Sequence, residues 1–139
     1  MRTPRTGTRA AYTHTVRTED SATHWGNELP VLATPVLLWL GEIACMKVVE
    51  DALDEGEMTV GYAHTDARHL AATPVGWTVT VEATLTRAED GMLTFEVEAR
   101  DAQDVVFRGT HVRALIERER FVRRFDRKAL RGETAEARP

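Results

Sequence analysis

The sequence predicts an α+β fold in which a five-stranded antiparallel sheet wraps around one long buried helix, with a short helix at the C-terminus. Three observations carry this. A run from Thr34 to about Leu53 is apolar on nearly every side in its first half, so a helix there must be covered from most directions. Two later runs, 78–85 and 93–99, alternate with period two, the mark of strands with one wet and one buried face. Glu89-Asp90-Gly91 stands between those runs, a strong signal for a tight hairpin.

The elements follow in order. Residues 1–9 are polar, basic and broken by Pro4 and Gly7, and read as a flexible tail. Tyr12, His14 and Val16 fall on one face of a first strand over 10–18, with threonines at 13, 15 and 18. Residues 19–33 carry Gly26, Asn27 and Pro30 and read as a loop or short helix. Thr34-Pro35 opens the helix, since threonine can cap and proline suits the first helical position; Asp54-Glu55-Gly56 ends it. Four strands are expected over 58–68, 77–88, 92–101 and 104–117. A helix from Glu117 to Leu130 carries a short apolar stripe, Phe121, Val122 and Phe125, among arginines. Residues 131–139 read as a second flexible tail, leaving one domain over 10–130. One strand, a nearly all-apolar helix and four further strands is the order of the hot-dog fold. Such a sheet leaves an edge and an apolar face open, so a homodimer is expected, with a tetramer as a further option.

Composition excludes several classes. A net charge of −4 gives no basis for nonspecific binding to nucleic acid. No apolar run reaches the roughly 18 residues of a membrane-spanning helix. Met1 to Arg5 are basic but lack the apolar stretch of a signal peptide. The single cysteine, Cys45, excludes an internal disulfide and reads as a buried, inert thiol. No cysteine–histidine cluster has zinc spacing, so no metal is expected. A cytoplasmic location is the resulting expectation.

Glu42 is the residue that calls for chemistry. Its neighbours from Val36 to Met46 are almost all apolar, and an unpartnered carboxylate buried among them costs several kcal/mol. The ways out are a paired charge, a protonated carboxyl or a functional site. His69, in Arg68-His69-Leu70-Ala71-Ala72-Thr73-Pro74, is a candidate partner that titrates near neutrality.

Three runs carry a resemblance: Thr34 with Glu42 eight residues on; His69-Leu70-Ala71-Ala72-Thr73-Pro74-Val75-Gly76; and Gly109-Thr110-His111-Val112-Arg113. Over roughly 30–125 the chain resembles the hot-dog-fold acyl-CoA thioesterase family, and within it fluoroacetyl-CoA thioesterase most. The resemblance implies Thr34, Glu42 and His69 as catalytic groups and a coenzyme A ester as substrate, with no separate cofactor. There are two departures. Gly61, matched to a family glycine near the thioester carbonyl, lies eight rather than seven residues before His69, an extra residue that a bulge can absorb. The loop His24-Trp25-Gly26-Asn27 before Thr34 lacks the family's pocket-lidding phenylalanine, so fluoroacetyl specificity does not carry over.

Hydrolysis needs a nucleophile, a base and support for the oxyanion. Glu42 can orient His69, attack directly or activate water. Thr34 can attack or only hydrogen-bond, and the helix-start N–H groups can hold an oxyanion. In a regular helix Thr34 and Glu42 stand about 12 Å apart along the axis, beyond direct contact. The bland alternatives are that Glu42 pairs with Arg113 or Arg68, that Thr34 is only an N-cap, and that His69 is a turn residue. His111, Arg113, Gly61 and Trp25 are candidates for substrate contact, and His64 reads as an ordinary strand residue. The arginines of the last helix suit coenzyme A phosphates or an acidic carrier protein. The expected function is hydrolysis of a small or medium acyl-CoA. The alternatives are conjugate addition or hydrolysis on a carrier-bound, α,β-unsaturated thioester, and non-catalytic acyl binding.

Overall fold

A computed structural model describes residues 1, 2 and 4–136, the side chains of 133–136 excepted. The elements are β1 (Arg9–Thr15), α1 (Thr34–Val49), β2 (Glu57–His69), β3 (Thr78–Glu89), β4 (Met92–Arg100), β5 (Val105–Glu117) and α2 (Arg118–Glu136). All strand pairs are antiparallel, in the order β1-β3-β4-β5-β2. This is the predicted sheet, with α1 against one face.

The alternation in β3 and β4 does what it promised. Val79, Val81, Ala83 and Leu85 point inward with Leu93, Phe95, Val97 and Ala99. They meet Val36, Leu37, Leu40, Ala44, Cys45 and Val48 of α1. Gly41 marks the close approach of helix to sheet, since a Cβ there would lie 3.2 Å from Val97 Cγ1. Asp90 and Gly91 both take positive φ, 54° and 76°, and Glu89 pairs with Met92, which makes a two-residue hairpin turn twisted to suit its strands.

Three boundaries differ from the sequence pattern. β1 stops at Thr15 because the chain turns away through a short 3-10 turn, Thr18–Asp20, although Val16 N–H still reaches the Trp77 carbonyl at 2.8 Å. α1 ends at Val49 and tightens into a 3-10 turn, Glu50–Ala52, before Leu53. α2 continues past Leu130 to Glu136, where good helix formers outweigh Gly132; residues 137–139 lie outside the described part. The first residues lie along the fold: Arg2 N–H bonds the Ala52 carbonyl at 2.9 Å and Gly7 N–H that of Leu85 at 2.7 Å.

Two surfaces are left open. β1 and β2 are the sheet edges, and Tyr62 on β2 is 71% exposed. The side of α1 away from the sheet carries Trp39, 49% exposed, and Met46, 40% exposed. No helix among the described residues is long and apolar enough to cross a membrane.

Candidate active site

α1 and β2 run side by side in opposite directions, and the functional side chains face each other across the furrow between them. At one end Thr34 meets His69, the last residue of β2. Two turns further along α1, Glu42 meets Gly61 and His64, earlier in β2.

At the first end the Thr34 hydroxyl lies 2.7 Å from His69 Nδ1. Thr34 is not the helix cap. That position belongs to Ala33, which offers no side-chain bond, and Thr34 is the first helical residue, so its hydroxyl is free for His69. Burial pushes the His69 pKa below its ordinary value, against a smaller opposing effect of the Ala71 backbone. The imidazole is therefore neutral at pH 7. Its Nε2 is buried with no hydrogen-bond partner among the described residues. The helix start offers fewer free donors than expected. Val36 and Leu37 N–H both turn to the Ala33 carbonyl and Pro35 has none, which leaves the N–H of Thr34 in the first turn.

At the second end both oxygens of Glu42 are held. Oε1 accepts from Arg113 Nη1 at 2.8 Å, and Oε2 lies 3.0 Å from His64 Nε2. Burial alone would raise the Glu42 pKa, but hydrogen bonds from His64 and Arg113 outweigh it and hold the carboxyl below its usual range. Glu42 is thus an anion at neutral pH, not a protonated acid. Arg113 is itself pinned and 4% exposed. Its Nε donates to Thr59 Oγ1 at 2.8 Å and its Nη2 to the Thr59 carbonyl at 3.1 Å. These bonds fix the guanidinium before any substrate arrives.

His111 completes the cluster, and its tautomer follows from its neighbours. Nδ1 lies 2.8 Å from the Ala63 carbonyl, which can only accept, so Nδ1 carries the hydrogen. Nε2 lies 3.1 Å from Arg113 Nη1, which can only donate, so Nε2 is the acceptor. Burial lowers the His111 pKa and keeps this neutral form. The His64 ring stacks on it at 4.1 Å between centroids, 19° from parallel.

Gly61 is a glycine for reasons of space. Its backbone lies outside the left-handed region, but a Cβ would sit 2.8 Å from Glu42 Oε1. The extra residue between Gly61 and His69 is absorbed by register shifts between Gly61 and Ala63 and between Thr65 and Arg68. Behind the cluster, Leu38, Gly41, His64, Phe107 and His111 border a cavity of about 10 Å³, room for one water-sized group.

Glu42, His64 and His111 are donor types that bind divalent ions, and their ligand atoms lie within 4.8 Å of one another. However, Arg113 already donates to Glu42 Oε1 and His111 Nε2. The guanidinium supplies the positive charge that a metal would bring, and it would repel one.

The sequence expectations divide accordingly. Thr34 and His69 come together. Glu42 does not pair with His69, because α1 is regular from Thr34 onward and eight residues of rise separate the two ends; its partners are Arg113 and His64. Gly61, His111 and Arg113 gather around Glu42. Trp25 stands 57% exposed on the turn Ala22–Trp25, outside both clusters. His64 is the residue that sequence reasoning missed. The available signal was the extra residue after Gly61, the place where a bulge re-aims side chains. Cys45 is fully buried, and burial pushes its thiol up to about 12, as its apolar setting suggested.

A family model described as fluoroacetyl-CoA-specific thioesterase matches residues 16–119. The chain belongs to this family. The fluoroacetyl-CoA thioesterase of Streptantibioticus cattleyicolor is 42% identical over 91 residues, a match spanning 66% of this chain and 65% of that relative's length. A crystal structure of a mutant of the fluoroacetyl-CoA-specific thioesterase superposes with a TM-score of 0.81 at 35% identity, covering 89% of this chain and 96% of the other. A hypothetical protein of Thermus thermophilus, a thioesterase superfamily member, gives a TM-score of 0.91 at 28% identity over 96% of this chain and 99% of its own. These thioesterase structures share the overall frame in which the furrow lies.

Proposed function

We propose that this chain hydrolyses a small acyl-CoA thioester. The observation that carries the proposal is the furrow between α1 and β2, with an ionised, doubly held Glu42 at one end and the Thr34–His69 pair at the other. The family and its fluoroacetyl-CoA thioesterase relative support it. Glu42 takes a proton from water as the water oxygen adds to the acyl carbonyl. Thr34 and its N–H lie at the positive end of α1, where a developing negative charge is stabilised. Collapse of the adduct breaks the C–S bond and releases coenzyme A. We propose Trp25, exposed on the turn before α1, as a contact for the substrate away from the reacting bond. No metal or separate cofactor takes part in this scheme.

The hydroxyl–imidazole geometry of nucleophilic hydrolases has a parallel here, since Thr34 Oγ1 lies within hydrogen-bond reach of a neutral His69. That observation favours a second reading, with Thr34 as the nucleophile. Rapid-quench mass spectrometry separates the two: an acylated Thr34 peptide supports attack by threonine, and its absence during turnover supports water.

The working form we propose is a homodimer in a reducing, cytoplasmic setting. The open β2 edge and the exposed Trp39 and Met46 of α1 are surface that a second copy seated against them would cover. α2 adds a basic groove in which Arg120, Phe121 and Arg124 stand beside Leu115 and Ile116. It suits the phosphates of coenzyme A, and an acidic carrier protein would meet the same charge. The test is thiol release from saturated and α,β-unsaturated acyl-CoA esters, with mass spectrometry of the products. Hydrolysis confined to short acyl chains, and lowered about a hundredfold or more in Glu42→Gln, is the expected result. Addition products from unsaturated esters, or release only from carrier-bound substrates, would replace this reading.

A further inference from the structure

Hydrolysis of a thioester at neutral pH breaks C–S, forms C–O and yields a carboxylate, a thiol and one net proton. Of the two protons of the attacking water, the one kept in the adduct's hydroxyl passes to the departing thiolate, and the one taken up by Glu42 in the scheme above is the net proton that must leave before the next turnover. Arg113 cannot take it, being a permanent donor. His111 cannot pass it on, because it is 1% exposed, its Nδ1–H is spent on the Ala63 carbonyl and its Nε2 faces Arg113. His64 differs on each count. Its Nε2 lies 3.0 Å from Glu42 Oε2, on the oxygen that Arg113 leaves free. Its side chain is 27% exposed, so the ring has one nitrogen at the carboxylate and a path to water. The stack on His111 fixes the ring plane.

We propose that His64 carries the proton from Glu42 to solvent after each hydrolytic turnover. It acts through Glu42 and not on the substrate. The inference rests on Glu42 being the base that activates water. The charged and titratable groups facing His64 are Glu42 from α1 and His111 and Arg113 from β5. The step balances as a shuttle: with the ring in its Nδ1–H tautomer, Nε2 takes the proton from Glu42 Oε2, Nδ1 releases one to water, and exchange of the ring hydrogen with water restores the accepting tautomer before the next turnover.

The test compares wild type, His64→Ala and His64→Gln on the best acyl-CoA substrate, with imidazole titrated into each. Glutamine keeps an N–H for Glu42 but cannot accept and release a proton. The expected result is a kcat about tenfold lower in both variants, little change in KM, and recovery of His64→Ala but not His64→Gln as imidazole rises. A His64→Gln enzyme at the wild-type rate would overturn the proposal, reducing His64 to a hydrogen-bond donor. A slow His64→Ala enzyme that imidazole does not restore would overturn it as well. Absence of thiol release by the wild type itself is a different failure, which removes the thioesterase reading and this inference with it.

Discussion

Replacing Gly61 by alanine tests whether a methyl group can disarm Glu42 without touching it chemically. The new Cβ would stand 2.8 Å from Oε1 and 3.5 Å from Cδ of Glu42. Ordinary van der Waals contact begins at 3.4 Å, so the carboxylate must retreat by about 0.6 Å. Retreat stretches the 2.8 Å bond from Arg113 to a length at which little of it remains. A charge-assisted hydrogen bond contributes about 1.5–3 kcal/mol, and each 1.4 kcal/mol is tenfold in rate. We expect kcat/KM to fall by about ten- to a hundredfold. The clash falls on the end of a movable side chain and not on backbone, so the melting temperature should stay within about 3 °C of wild type. With Arg113 drawn away, the acid limb of the pH–rate profile should also move upward, because the bond that lowered the Glu42 pKa is weakened. The assay is thiol release by a disulfide reagent between pH 4 and 8, with calorimetry alongside. Wild-type kcat/KM in Gly61→Ala would refute the claim that this glycine makes room for a working carboxylate.

Cys45 should not react with a disulfide reagent in the native protein and should react fully in urea, because burial lifts its thiol to about 12; fast native labelling would contradict the packing. Stability should fall as pH drops through the ordinary histidine value of about 6.5. Burial lowers the pKa values of both His69 and His111, so the unfolded chain binds more protons in that window and the folded state gains stability with rising pH. The carboxylates that titrate low, Asp20, Glu42, Glu57, Glu98 and Asp101, act only below about 4.5, so a flat urea midpoint from pH 7.5 to 5.5 would contradict the histidine burial.

Much of this protein was legible because its signals were local. Period-two alternation fixed which side of β3 and β4 faces α1, and Asp90-Gly91 supplied two residues able to take positive φ. What was hidden depends on register between distant strands. His64 lies opposite His111 only because β2 slips past β5 between Gly61 and Ala63, and no local pattern states where a slip occurs. The same slip sets which side of the strand meets Glu42. The pairing of Glu42 with Arg113 was weighed as a bland alternative to function. The structure joins that arginine to His64 and His111 in one cluster around Glu42, and the arginine that meets the half-buried carboxylate also keeps it ionised. Thr34 illustrates a third limit: cap or side-chain partner is decided by one residue of helix start, at Ala33.

The order of the strands also sets an order of assembly. β3, β4 and β5 follow one another in chain and in sheet, so their pairing closes short loops. β2 precedes them in sequence yet must dock on β5, tying Glu42 to Arg113 across 71 residues and Thr34 to His69 across 35. Long closures are the slow ones in folding, and a bulged edge strand is among the first elements to open in the native state. The furrow therefore exists only when the last strand has seated. Amide exchange in β2 should outpace that in β3 and β4, and catalysis should vanish on mild destabilisation while most of the sheet is still intact.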